Sequence, residues 1–179
     1  MVANVLCRRY AIGGIVNPQE VIELKKKHLL RFANENGAKG EFESIEANED
    51  WIPRPKGQQL KNILFALEQT GIVIKRSSFD AISIPSNIRI DFDDIESIMN
   101  FLPDITFIEI KSANQERVKD DFSGFFFALT ENEISAAEQL GSRHKVALFN
   151  KITSKMVMTT VKDIVARSRS MTWQVSVQL

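Results

Sequence analysis

Cysteine is almost missing from this 179-residue chain, where Cys7 stands alone. One thiol cannot build an internal disulfide framework, and it offers no zinc-binding spacing. Long apolar runs are missing as well. No stretch reaches the roughly 18 residues that cross a bilayer as a helix. The N-terminus has no apolar segment followed by a small-residue cleavage site. A cytoplasmic protein without a membrane partner is expected. Net charge is also absent, with 23 basic against 23 acidic residues, which argues against a histone-like coat on DNA. No internal repeat or low-complexity segment is visible.

What is present is an ordinary globular composition, 44% hydrophobic, enough to bury a core in one domain or in one domain with an appended lobe. The charges are unevenly placed. Residues 1–79 carry 12 basic and 9 acidic side chains, residues 80–121 carry 4 and 10, and residues 122–179 carry 7 and 4. An acidic middle between mildly basic flanks suits a cation site rimmed by phosphate-binding groups.

The acidic middle contains Phe107-Ile-Glu109-Ile-Lys111-Ser-Ala113, a short apolar strand. Strand side chains alternate between faces, so Phe107, Glu109 and Lys111 share one face, with Ile108 and Ile110 on the other. A buried carboxylate and amine are costly unless paired or used. A metal site with a lysine beside it needs a further acid from another strand. Ser77–Ile84 reads as that strand, with Phe79, Ala81 and Ile84 as its apolar positions and Asp80 near its start. A hairpin-like return sets Asp80 beside Glu109.

Asp80, Glu109 and Lys111 then spell D…ExK, and the chain here resembles the PD-(D/E)xK nuclease superfamily, whose hallmark is an acid on one strand and (D/E)xK on the next. The resemblance covers roughly residues 58–150. It includes the order of ExK strand, apolar segment Gly124–Thr130, helix from Glu131 to Glu138 and apolar strand Lys145–Phe149, which is similar to nuclease-like domains of restriction and defence proteins. It implies that Asp80 and Glu109 bind magnesium, with manganese able to replace it, and that Lys111 positions or deprotonates the attacking water. In many members the helix before the first acid supplies another, and Glu68 is the only acid of that helix here. Pro103-Asp104 spells a literal PD, but Asp104 and Glu109 would stand about 16 Å apart along one strand at ~3.3 Å per residue. That is too far for one metal ion, so Asp104 reads as a cap on the strand after the proline and is the substitute only should Asp80 not be the acid.

Elsewhere the chain reads as follows. Asn17-Pro18-Gln19-Glu20 opens a helix with an N-cap, an early proline and a capping box. Lys25 and Lys26 ride on its outer face, either as phosphate contacts or simply as solvated charge. Residues 38–57 read as irregular, and Trp51–Lys56 combines a ring with Arg54 and Lys56, either pinning a linker or stacking on nucleic acid. Gln58–Gln69 is a helix closed by Gly71, and Ile72–Ile74 begins a sheet. Asp91–Leu102 is a capped helix rather than a calcium loop, since glycine and the terminal glutamate are missing at the needed spacing. Gln115, Arg117 and Lys119 leave the end of the ExK strand as candidate DNA contacts, and Arg143 is another. Phe125-Phe126-Phe127 reads as core. Thr130–Glu133 is a capping box for a helix that Gly141 ends, and Thr160–Asp163 caps a short one. Thr172–Leu179 alternates as a strand.

Helices and strands interleave, giving an α/β (α+β) class. The resemblance implies a central mixed β-sheet flanked by helices, a restriction-endonuclease-like core over residues 58–179 with an N-terminal helical lobe over residues 1–57. The expected function is that of a type II restriction endonuclease or its small cleavage subunit, acting on double-stranded DNA as a homodimer or with a second nuclease or recognition subunit. Repair or resolvase nucleases and a non-catalytic DNA-binding or assembly module are the alternatives. A plain α/β domain with a Glu109–Lys111 ion pair is a third.

Overall fold

The computed structural model describes residues 38–168 and residue 170. The expected helix after Asn17, with Lys25 and Lys26, and the strand expected at Thr172–Leu179 lie outside them. Among the described residues, helices occupy residues 38–46 (α1), Gly57–Gln69 (α2), Ile95–Phe101 (α3), Glu131–Leu140 (α4) and Val161–Arg167 (α5). Strands are Trp51–Pro53 (β1), Ala81–Ser83 (β2), Thr106–Ala113 (β3), His144–Asn150 (β4) and Lys155–Thr159 (β5). The expected boundary between residues 57 and 58 falls at the first turn of α2. No helix among the described residues is long and apolar enough to cross a membrane.

The strands form one mixed sheet in the order β1-β2-β3-β4-β5, an α+β architecture. Antiparallel pairs join β1 to β2 and β2 to β3, with Pro53 opposite Ala81 and Ala81 opposite Ile108. The central pair β3/β4 is parallel, from Phe107↔His144 to Ala113↔Asn150. A parallel pair requires a crossover, and the connection carries α4. β5 returns antiparallel to β4.

Side chains leave β3 on two faces, as the alternation requires. Ile108 and Ile110 join Ala81, Ala147 and Ile45 of α1 on one face. On the other, Phe107 packs with Phe79, Ile82, Ile63 and Leu67 of α2, Ile98 of α3 and Leu140 of α4. The Phe79 and Phe107 rings meet edge-on at 5.1 Å. Further along the same face, Ala113 packs with Val118, Phe122, Val146, Leu148 and Val161 of α5. Each fully buried large side chain contributes about 1.5–3 kcal/mol. Between these two apolar groups, the β3 positions facing the helices are Glu109 and Lys111.

Several expectations need correction. The segment 38–57 is not irregular: α1 forms despite Gly40, because that glycine lets the helix approach the sheet. A Cβ there would lie 2.3 Å from Lys151 Cε and 2.6 Å from Ser112 Cβ. The Ser44 hydroxyl donates to the Gly40 carbonyl at 2.7 Å. Ile72–Ile74 is not a strand, since the Gln139 side chain satisfies both backbone groups of Val73, at 2.7 and 2.8 Å. The helix expected from Asp91 begins only at Ile95, with Asp94 capping the Glu96 N–H. Phe126 is not core but 74% exposed, because the segment is extended and turns only Phe125 and Phe127 inward.

Candidate active site

Asp80 comes to the site because β2 stops early. The expected strand Ser77–Ile84 is reduced to Ala81–Ser83. Continuing the Ala81↔Ile108 register by one residue sets Asp80 beside Glu109. The Asp80 N–H still donates to Ile108 O at 2.8 Å. The Ile110 N–H, however, donates to Asp80 Oδ2 at 3.0 Å. A side-chain carboxylate thus takes a place in the ladder that a carbonyl would hold, and regular pairing ends there. Arg54 follows β1 and closes the other side. Its N–H donates to Asp80 O at 2.8 Å, its Nη1 donates to Phe79 O at 2.6 Å, and Nη1 stands 3.9 Å from Asp80 Oδ1.

Glu109 is 5% exposed. Its Oε1 lies 2.8 Å from Lys111 Nζ, while its Oε2 is buried with no hydrogen-bond partner. Two residues apart on one strand, these side chains share a face, as the sequence predicts. Lys111 also reaches across 22 residues to α4, with Nζ 3.1 Å from both Glu133 oxygens. Thr130 and Glu133 form the expected capping box, but the same carboxylate also faces Lys111.

Burial sets the electrostatics. It pushes Glu109 up to about 8, with the charges of Asp80 and Glu133 adding to the shift and Lys111 opposing it. Burial also raises Asp80, against the Ile110 N–H, Arg54 and Lys111. Burial alone would lower Lys111, but Glu109 and Glu133 outweigh it and hold the amine above its usual value as an ammonium. A fourth acid, which the sequence reading missed, belongs to this neighbourhood. Glu41 of α1 is raised by burial and then by the charge of Asp80, with Arg54 and Lys56 pulling the other way.

The remaining candidates are scattered. Glu68 is exposed on α2, where it lines a surface hollow with Phe65 and Val73, whereas Glu41 of α1 is a helix acid that feels the charge of Asp80. Asp104 is exposed in the turn Leu102–Asp104 ahead of β3. Lys56 is exposed at the N-cap of α2. Gln115, Arg117 and Lys119 are exposed on the loop leaving β3, with Arg117 Nε donating to Gln115 Oε1 at 2.7 Å. Arg143 is turned to the fold itself, donating to Leu102 O at 2.8 Å at the start of β4, the other end of the sheet.

Among the described residues, no group of three or more His, Cys, Asp and Glu side chains is arranged to hold a metal ion. Magnesium, however, usually takes one or two carboxylates and fills its remaining positions with water and substrate phosphate. Asp80 and Glu109 fit that demand, because Glu109 Oε2 is buried, charged when deprotonated and without a partner. The chain matches no family model, no curated protein and no solved structure.

Proposed function

We propose that the chain is a magnesium-dependent DNA endonuclease built on a restriction-endonuclease-like core. The observation that carries this reading is Glu109, a buried acid with one oxygen held by Lys111 and the other unsatisfied, set beside Asp80. A structural ion pair alone gives no account of that second oxygen, since an orphaned buried acceptor costs about 1–3 kcal/mol. Asp80 and Glu109 would hold magnesium, and the ion would supply Lewis acidity toward a phosphoryl oxygen and hydroxide near neutral pH. Lys111 would orient the attacking water or meet charge growing on the phosphorus oxygens. Arg54, exposed Lys56 and the Gln115–Lys119 loop supply groups suited to the phosphate backbone. One site cuts one strand, so double-strand cleavage requires a second copy or a partner subunit.

The test is incubation of the purified protein with mixed duplex DNA and magnesium, beside Asp80→Asn and Lys111→Ala. Cleavage by the parent protein that both variants lose is expected. Absence of cleavage with DNA still retarded on a gel would replace the nuclease reading by a binding module. A protein that neither cuts nor binds DNA, and whose stability ignores magnesium, would leave Glu109–Lys111–Glu133 as a structural ion cluster.

A further inference from the structure

We propose that Glu133 is a positioning residue that holds Lys111 over the site, an inference that rests on the nuclease reading above. Lys111 has three ammonium protons and a flexible four-carbon stem. Its contacts are Glu109 Oε1 at 2.8 Å and both Glu133 oxygens at 3.1 Å. If Glu109 is given over to a metal ion, its hold on Lys111 weakens, and Glu133 remains to keep the ammonium in place. Glu133 is fixed for that purpose. It sits at the third position of α4, and its Oε2 accepts the Thr130 N–H at 2.9 Å.

The capping role alone does not account for a glutamate here. Glutamine serves equally at the third position of a capping box, and a cap carboxylate normally faces water. This one is 5% exposed, where a charge is costly without a partner. Among the described residues, the cation within hydrogen-bond reach of it is Lys111. Glu133 also lies on the helix that connects β3 to β4, so the crossover that permits their parallel pairing delivers the carboxylate to the strand bearing Lys111.

The test compares Glu133→Gln with Thr130→Ala in the full chain, on duplex DNA with magnesium. Glutamine keeps the acceptor for the Thr130 N–H and removes the charge. It is expected to lower kcat about a hundredfold, the scale of a misplaced catalytic group, with KM retained and the protein still folded at the assay temperature. Thr130→Ala weakens only the cap, lowering Tm with kcat retained. An unchanged kcat in Glu133→Gln, or an equal fall in both variants, would overturn the proposal. Acetylation of Lys111, followed by mass spectrometry, supplies a readout independent of cleavage. Lys111 should label several times faster in Glu133→Gln than in the parent protein, and equal labelling would overturn the proposal. If the parent protein does not cut DNA, the nuclease reading fails by itself, and the difference in Lys111 labelling between the parent and Glu133→Gln still shows whether Glu133 grips it.

Discussion

Glutamine in place of Glu109 should make the metal-free protein more stable at alkaline pH while removing the magnesium response proposed for it. Folding holds the Glu109 carboxyl at about 8, against 4.5 for the free side chain. Between those values the folded chain retains a proton that the unfolded chain has released. Raising the pH across this window therefore favours unfolding. At 1.36 kcal/mol for each pH unit between those values, the effect amounts to roughly 5 kcal/mol. That is a large share of the 5–15 kcal/mol typical of a domain. Other groups act in the same range. Buried His144, with its pKa lowered chiefly by desolvation, works in the opposite direction, adding stability as the pH rises through its unfolded value. Asp80 and Glu41 are raised like Glu109. All three are common to parent and variant, so the difference between the two proteins reports the Glu109 carboxyl together with its coupling to Asp80 and Lys111. The assay is urea unfolding in EDTA from pH 5 to 9. The two proteins should be close in stability at pH 5 and diverge toward pH 9 in favour of Glu109→Gln. Parallel pH profiles, or a variant that is the weaker of the two at pH 9, would refute the account of Glu109 as an acid kept protonated by burial.

Three further outcomes follow from the same geometry. On the proposed reading magnesium displaces the Glu109 proton, so its stabilisation of the parent protein should be larger at pH 8 than at pH 6 and absent in Glu109→Gln, read as a shift in Tm. Gly40→Ala should destabilise by about 1–3 kcal/mol through overpacking against Ser112 and Lys151. A rise in Tm, the roughly 1 kcal/mol that alanine adds to a free helix, would mean that α1 does not lie against the sheet. Asp80→Asn should keep an acceptor for the Ile110 N–H and unfold near the parent midpoint, whereas Asp80→Ala should cost about 1–3 kcal/mol more by orphaning that buried donor; equal midpoints would show that the hydrogen bond contributes nothing.

Local rules make several elements legible from sequence. The Thr130–Glu133 box, the Thr160–Asp163 cap and the apolar period of α2 each involve residues within a few positions of one another. β3 and β4 are apolar runs whose buried faces leave little choice, and the shared face of Glu109 and Lys111 follows from strand alternation alone. The sequence stops being sufficient where a distant group replaces a backbone partner. Asp80 ends β2 by taking the Ile110 N–H, and Gln139 satisfies Val73 from 66 residues away. α1 is hidden because residues 38–46 are mostly polar and their approach to the sheet, with Gly40 against Ser112, is not local in sequence. Glu133 shows its cap in the sequence but not Lys111, and Glu41 shows nothing local to connect it with Asp80. The charge of the site was readable, while its full membership depends on packing.

The Asp80 carboxylate stands in for a main-chain carbonyl, and this joins two histories that are usually separate. An acid displayed on a loop can be lost by drift while the fold persists, leaving an inert relative behind. Here most replacements at position 80 would break the sheet's own ladder as well as the acid pair. Asparagine is the narrow exception, able to keep the hydrogen bond without the charge. Selection on stability alone would therefore preserve either aspartate or its amide at this position, and descendants that abandoned the chemistry proposed for the site would be expected to record it there as a single Asp-to-Asn change.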